Sequence, residues 1–165
     1  MVTKTKVSRE LDRTDRRILD LVQRDGTLAQ AEIARKVALS TAAVHERVKK
    51  LEAAGVIRRW TAIVDPAAVG VSVSAFVEVF FEHPRFEAGF IERMKKLSEV
   101  PECHHITGEF SLLLKVRVRD MESLQRLLLE QLGGHEGVRQ TRTVMVLSTV
   151  KEETFIDPAL KAGDA

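Results

Sequence analysis

Residues 27–55, TLAQAEIARKVALSTAAVHERVKKLEAAG, constrain this chain more than any other stretch. Ile33, Ala34 and Val37 supply the inner face of one short helix, and Val44, Val48 and Leu51, at i, i+4 and i+7, supply that of a second. The two meet at Ala38-Leu39-Ser40. Ser40 suits the N-cap of the second helix because its hydroxyl accepts a bond from a free first-turn N–H, and Gly55 suits the left-handed residue that closes the far end. Two short helices around a tight turn, the second bounded at both ends, outline a helix-turn-helix. With Val44 pointing inward and about 100° per residue, Ala42, His45, Glu46, Lys49 and Lys50 point outward, with Thr41 and Arg47 on the flanks. In such a unit the positions from Ser40 onward on the outer side (Ser40, Thr41, Ala42, His45, Glu46, Arg47, Lys49 and Lys50) are the ones offered to a DNA major groove.

A charged helix face is usually no more than a solvated one, so the distribution of charge decides the weight of this reading. Residues 1–60 carry 14 Lys+Arg against 8 Asp+Glu, hence +6, and residues 61–165 carry 12 against 16, hence −4. A chain of net charge +2 is therefore a dipole whose basic half coincides with the helix pair. That is the expected pattern if lysine and arginine neutralise phosphates there and the acidic half binds no nucleic acid.

At 165 residues, 44% hydrophobic and 30% charged, the chain is long enough for one domain or two small ones. No run of 18 apolar residues occurs, residues 1–8 (MVTKTKVS) lack the apolar core of a signal peptide, and the single Cys103 excludes an internal disulfide. The expectation is a cytoplasmic, nucleoid-associated protein with no membrane role.

Ahead of the pair, residues 11–25 form a third helix, with Asp12 as N-cap, Asp15 near the positive end of the helix dipole, and Leu11, Ile18, Leu19 and Val22 as the packing stripe. The DNA-binding domain is thus 1–56. The β-branched run 56–64, ended by Asp65-Pro66, reads as a strand, and 57–70 as the linker. Strand, helix, strand then occurs twice, at 71–81, 86–97 and 103–107, and at 111–118, 121–132 and 138–150. This βαββαβ order over 71–152 is the ferredoxin-like arrangement, and 153–165 is a tail. The fold class is α+β, a winged-type helix-turn-helix followed by a ferredoxin-like domain. Apolar residues fall on both parities of the strands, as in Phe76-Val77 and Leu112-Leu113-Leu114, so the sheet face away from the helices calls for cover. A second copy of the chain is the economical cover.

LDRTDRRIL (11–19), the ALS turn, ERVKKLEAAGVI (46–57), ECHHITGEFSLLLKVRV (102–118) and TRTVMVLSTVKE (141–152), in this order and spacing, resemble the Lrp/AsnC, or feast/famine, transcription regulators over about residues 11–153. The resemblance implies DNA binding by the first domain, dimers that assemble further, often into octamers, and amino acids or similar metabolites as effectors of the second. It places an effector where sheet loops meet between dimers, near His105, Gly108, Glu109, Phe110, Ser111, Met121, Thr141 and Thr143. Three positions depart from the family pattern. Ala29 replaces a capping Ser or Asn, Ala38 often a Gly, and Ser111 the second acidic residue of a Gly-Asp-Tyr/Phe-Asp loop, a residue that can contact an effector's amino group.

Other constellations carry less. Cys103 and His105 share a strand face that His104 does not, and no second cluster completes a metal site, so no metal and no cofactor is expected. Gly133-Gly134-His135-Glu136-Gly137 precedes a strand, so it lacks the helix N-terminus that phosphate cradling needs. Three functional classes follow: an effector-responsive, sequence-specific transcription regulator; a nucleoid-type architectural DNA-binding protein; and an enzyme like the haem-pathway decarboxylases that share this fold. The outward Lys49 and Lys50 and the acidic second domain argue against an enzyme, whereas regulator and architectural protein both bind phosphates with these parts.

Overall fold

A computed structural model describes residues 10–159, so the sequence readings on residues 1–8 and on 160–165 of the tail lie outside the described residues. The chain separates into two units. One comprises residues up to Ile63 together with those from Glu152 on, and the other is Val64–Lys151.

In the first unit α1 (Arg13–Arg24), α2 (Gln30–Val37) and α3 (Thr41–Ala53) close around Ile18, Leu19, Leu21, Val22, Ile33, Ala34, Val44, Val48 and Leu51. The caps are those expected. The Asp12 carboxylate accepts from the Asp15 N–H at 2.7 Å, and the Ser40 hydroxyl accepts from the Ala43 N–H at 3.2 Å. Gly55, at φ +72°, ends α3. α2 begins at Ala29 with no side-chain cap and ends at Ala38, which holds φ +54°. A methyl-bearing residue in the left-handed region costs roughly 1–2 kcal/mol, and the tight turn into Ser40 imposes it.

Residues 56–64 are not a strand in the single chain, contrary to the sequence reading. A strand needs a ladder partner, and none of the described segments pairs with this one. Ile57 packs on the three-helix core, and Trp60 donates its indole N–H to Glu52 at 2.6 Å. A single helical turn, Ala67–Val69, then lies near the start of the second unit.

That unit runs β1 (Val73–Phe81), α4 (Glu87–Met94), β2 (Glu102–His105), β3 (Leu112–Val118), α5 (Met121–Arg126) continued by a π-helical stretch Leu127–Gly133, and β4 (Val138–Met145). The sheet order is β2-β3-β1-β4 with antiparallel neighbours, the ferredoxin-like order expected from the repeat. Ala75, Val77, Val79 and Phe81 of β1 and Leu112, Leu114, Val116 and Val118 of β3 face a core completed by Phe90, Met94, Leu124, Leu127 and Leu132. The turn between the π-helical stretch and β4 contains Gly137, at φ +82°, where a Cβ would lie 2.1 Å from the Phe86 ring. On the opposite sheet face Phe76, Phe80 and Leu113 are half-buried and Val144 is exposed.

The last strand is shorter than the expected 138–150. Met145 pairs with Ala75, and the Val146 N–H adds one more bond, to the Ser74 carbonyl, which leaves only Val73 of β1 beyond it. Leu147 and Val150 are consequently 97% exposed.

Candidate nucleic-acid interface and ligand loop

The outward face of α3 is open. Thr41, Ala42, His45, Glu46, Lys49 and Lys50 are exposed, as is Ser40, whose hydroxyl is engaged as the cap. His45 is steadied by Gln30 at the start of α2, with Nδ1 3.1 Å from the amide oxygen. Basic residues continue past the helix at Arg58 and Arg59, both exposed, which helical periodicity alone did not bring into the face.

Arg47 is placed differently from the other members of the set. Its guanidinium donates to Asp12 at 2.6 Å and to Asp15 at 2.7 Å, tying the middle of α3 to the first turn of α1. The Asp15 side chain is only 1% exposed. A carboxylate so buried needs a partner, because an uncompensated buried charge costs several kcal/mol. The hydrogen bonds that Arg47 donates to Asp12 and then to Asp15 raise its pKa above the ordinary value. The Asp15 N–H and then Arg47 lower that of Asp12 below its ordinary 3.8. A depressed carboxylate pKa stabilises the fold fully above the unfolded value, and that contribution fades as pH falls through the lower folded one. In sequence the pair was legible only as Asp12 and Asp15 at i, i+3. What they meet lies 32 to 35 residues away.

The candidate ligand loop joins β2 to β3. The Ile106 N–H bonds to the Ser111 carbonyl at 3.1 Å, and the Ser111 N–H bonds to the Val79 carbonyl at 3.0 Å. Gly108 takes φ +113°, Glu109 is exposed, and Phe110 is buried, with the Arg142 guanidinium 5.0 Å from its ring centroid. Arg142 also pairs with Glu78 on the open sheet face, a cation beside the loop that the sequence reading passed over in favour of its neighbours Thr141 and Thr143.

The eight effector residues do not converge within one chain. His105 is opposite Leu112, Leu112 opposite Val79, and Val79 opposite Thr141. His105 and Thr141 therefore stand on opposite edges of the sheet, roughly 14 Å apart at about 4.8 Å per strand. Met121 follows the far end of β3, about 20 Å along the strand from Ser111. His105 has Glu87 3.8 Å from its Nδ1 instead, and Met121 is 59% exposed. A cavity of about 390 Å³ in this unit is lined by Leu97, Glu99, Arg117 and Arg126, among others, and by none of the eight.

Comparison with known proteins adds the following. Residues 74–156 match the family model described as the Lrp/AsnC ligand binding domain, and residues 11–58 match one described as winged helix-turn-helix DNA-binding. The Leucine-responsive regulatory protein of Escherichia coli strain K12 is 38% identical over 152 residues, covering 91% of this chain and 93% of the relative. A transcriptional regulator from Neisseria meningitidis, solved as a complex with L-Met, superposes with a TM-score of 0.82 at 33% identity, covering 88% of this chain and 95% of that one. The structure of Escherichia coli AsnC superposes with a TM-score of 0.83 at 27% identity, covering 89% and 99%.

Arg47→Ala is expected to destabilise the first unit by about 1.5–3 kcal/mol, the worth of hydrogen bonds to a charged group, whereas Lys49→Ala stays within about 0.5 kcal/mol. Urea unfolding followed by the fluorescence of Trp60, the single tryptophan, checks both. Equal midpoints for the two variants would contradict the clamp.

Proposed function

The chain belongs to the Lrp/AsnC family of DNA-binding transcriptional regulators, with a helix-turn-helix domain and a ligand-binding domain, and from that premise we propose how it reads DNA, assembles and responds. The exposed face of α3, carried on α1, is the observation that supports the reading. Thr41, Ala42, His45 and Glu46 lie nearest the base edges, while Lys49 and Lys50, joined by Arg58 and Arg59, neutralise phosphates. Arg47 holds α3 to its support rather than touching DNA. The relatives are regulators, so the decarboxylase-like alternative falls away.

Assembly is proposed as a two-fold dimer that builds further, to an octamer in the manner of the family. Three unpaired features support it: the linker around Trp60 to Val64, the half-buried Phe76, Phe80 and Leu113 face, and the exposed Leu147 and Val150. Two recognition helices related by a two-fold would read half-sites about 34 Å apart, or a multiple of that, in an imperfect palindrome. The spread of the eight effector residues over one chain supports a ligand site that forms only between subunits.

The ligand reading rests on Ser111. The Neisseria relative is described as an L-Met complex, so an amino-acid-like metabolite is the proposed effector class here. Serine offers no charge to an ammonium group, and Glu109 is the exposed carboxylate of the loop. Losing a hydrogen bond to a charged group is worth about 1.5–3 kcal/mol, or one to two powers of ten in affinity.

Lys49→Ala with Lys50→Ala should weaken binding to every duplex and flatten the salt dependence by a slope of about 0.9 per lost phosphate contact. Unchanged affinity across a salt titration by fluorescence anisotropy would overturn the assignment. In calorimetric titrations with the twenty amino acids, unmodified aliphatic ones should bind weakly, and Ser111→Asp should gain about ten- to a hundredfold. Micromolar binding of leucine to the natural chain would show that Ser111 has been over-read.

A further inference from the structure

The C-terminal segment rejoins the DNA-binding unit at Glu152 and runs along the outer side of α1. Gln23 donates its amide N–H to the Ile156 carbonyl at 2.9 Å and accepts from the Ile156 N–H at 2.9 Å, so one side chain engages both backbone groups of one residue, as a strand partner would. The Arg24 guanidinium lies 4.7 Å from the Phe155 ring centroid, and Arg16 donates to the Pro158 carbonyl. Arg16, Asp20 and Gln23 are spaced i, i+4, i+7, which puts them on one stripe, turned away from the core stripe of Ile18, Leu19 and Val22. The outer face of a helix that its own unit leaves solvated is thus covered by a segment from the opposite end of the sequence.

The charges on the two sides are opposite. α1 carries Arg13, Arg16, Arg17 and Arg24 on its outer side, and these, with Lys36 from the end of α2, line an open groove of about 690 Å³ whose remaining wall includes Asp157, Pro158 and Ala159. Residues 152–159 contain three acids, Glu152, Glu153 and Asp157, and no base. The first 63 residues have net charge +6, and residues 152–165, with four acids and one base, have −3. The tail therefore halves the positive charge of the unit that docks on DNA.

We propose that the C-terminal segment is an acidic strap covering a second, sequence-independent DNA-backbone surface on α1, and that its docking sets how tightly the protein holds non-operator DNA. From Arg13 to Arg24 the helix spans about 16 Å, along which one strand of a duplex presents roughly five phosphates at 3.4 Å of rise each. The strap brings Asp157 near Arg24, which also pairs with Asp20 of α1 itself, and sets the Pro158 carbonyl on Arg16. Non-specific binding is almost wholly phosphate neutralisation, so masking these arginines lowers it while leaving the base-facing positions of α3 untouched. The inference rests on the DNA-binding reading of the first unit and adds a contact surface and a competitor for it.

The test uses the full-length protein and a scrambled duplex without a binding site, with affinity followed by fluorescence anisotropy across a salt series. Three variants separate charge from packing: Glu152→Gln with Glu153→Gln and Asp157→Asn, which keeps the Gln23–Ile156 pairing; Gln23→Ala, which releases it; and a chain ending at Lys151. Each should bind the scrambled duplex about tenfold more tightly at low salt, with a slope steeper by about 0.9 for each arginine set free. Arg16→Ala with Arg24→Ala, added to the shortened chain, should cancel the gain, an outcome that a merely structural tail would not give. If the shortened chain fails to fold, by far-ultraviolet circular dichroism, the charge variant alone decides. Unchanged or weaker binding by the charge variant overturns the strap. The Lys49→Ala, Lys50→Ala protein in the same assay keeps the two readings distinct, because its unchanged binding would fail the α3 interface whatever the strap does.

Discussion

The ion-paired contact of Arg47 with Asp12 and Asp15 is the interaction on which the DNA-binding unit depends. A recognition helix is useful only if its outward side chains are held at fixed angles, and α3 has just three buried residues, Val44, Val48 and Leu51, to hold it. Arg47 adds a directional bond to that apolar grip. Two carboxylates at the first turn of α1 receive one guanidinium, and one of them is sealed from water, so rotation of α3 about its axis would take the guanidinium from a buried carboxylate. The same Asp12 caps α1, so helix start and helix packing are fixed by one side chain.

The second unit obeys a different constraint, the pairing of strand edges. β1 is central and carries neighbours on both sides, which is why its core residues are fully buried. Pairing stops near the start of β1: the last β4 pair is Met145 with Ala75, two residues from the strand's first residue, and the run after Gly55 has none of the described strands beside it. Apolar edges and faces left open in one chain are what a second copy covers. The proposed ligand site, divided among such edges, is complete only in the proposed dimer.

Much of this was legible in the sequence because it is local. Caps at Asp12 and Ser40, the glycine stop at Gly55, the apolar stripes and the repeated strand-helix-strand order all follow from spacing, and the structure has them. The misreadings share one cause, distance along the chain. Arg47 sits at the edge of the outward arc, and periodicity cannot tell a flank that faces DNA from one that meets acids over 30 residues upstream. Strand propensity in 56–64 and 146–150 was read as strand, but propensity describes willingness to pair and not the presence of a partner. The tail was read as an appendage because nothing in EETFIDPA signals that Gln23, 133 residues away, accepts its backbone.

Hydrogen exchange of the full chain, free and saturated with duplex DNA, probes the interface most directly. Slowed exchange should concentrate in Thr41–Ala53 and the start of Gln30–Val37, with the amides of the four-stranded sheet unchanged by DNA itself. Protection confined to Val64–Lys151, with the amides of α3 exchanging as in the free protein, would contradict the assignment of α3 as the DNA-reading element.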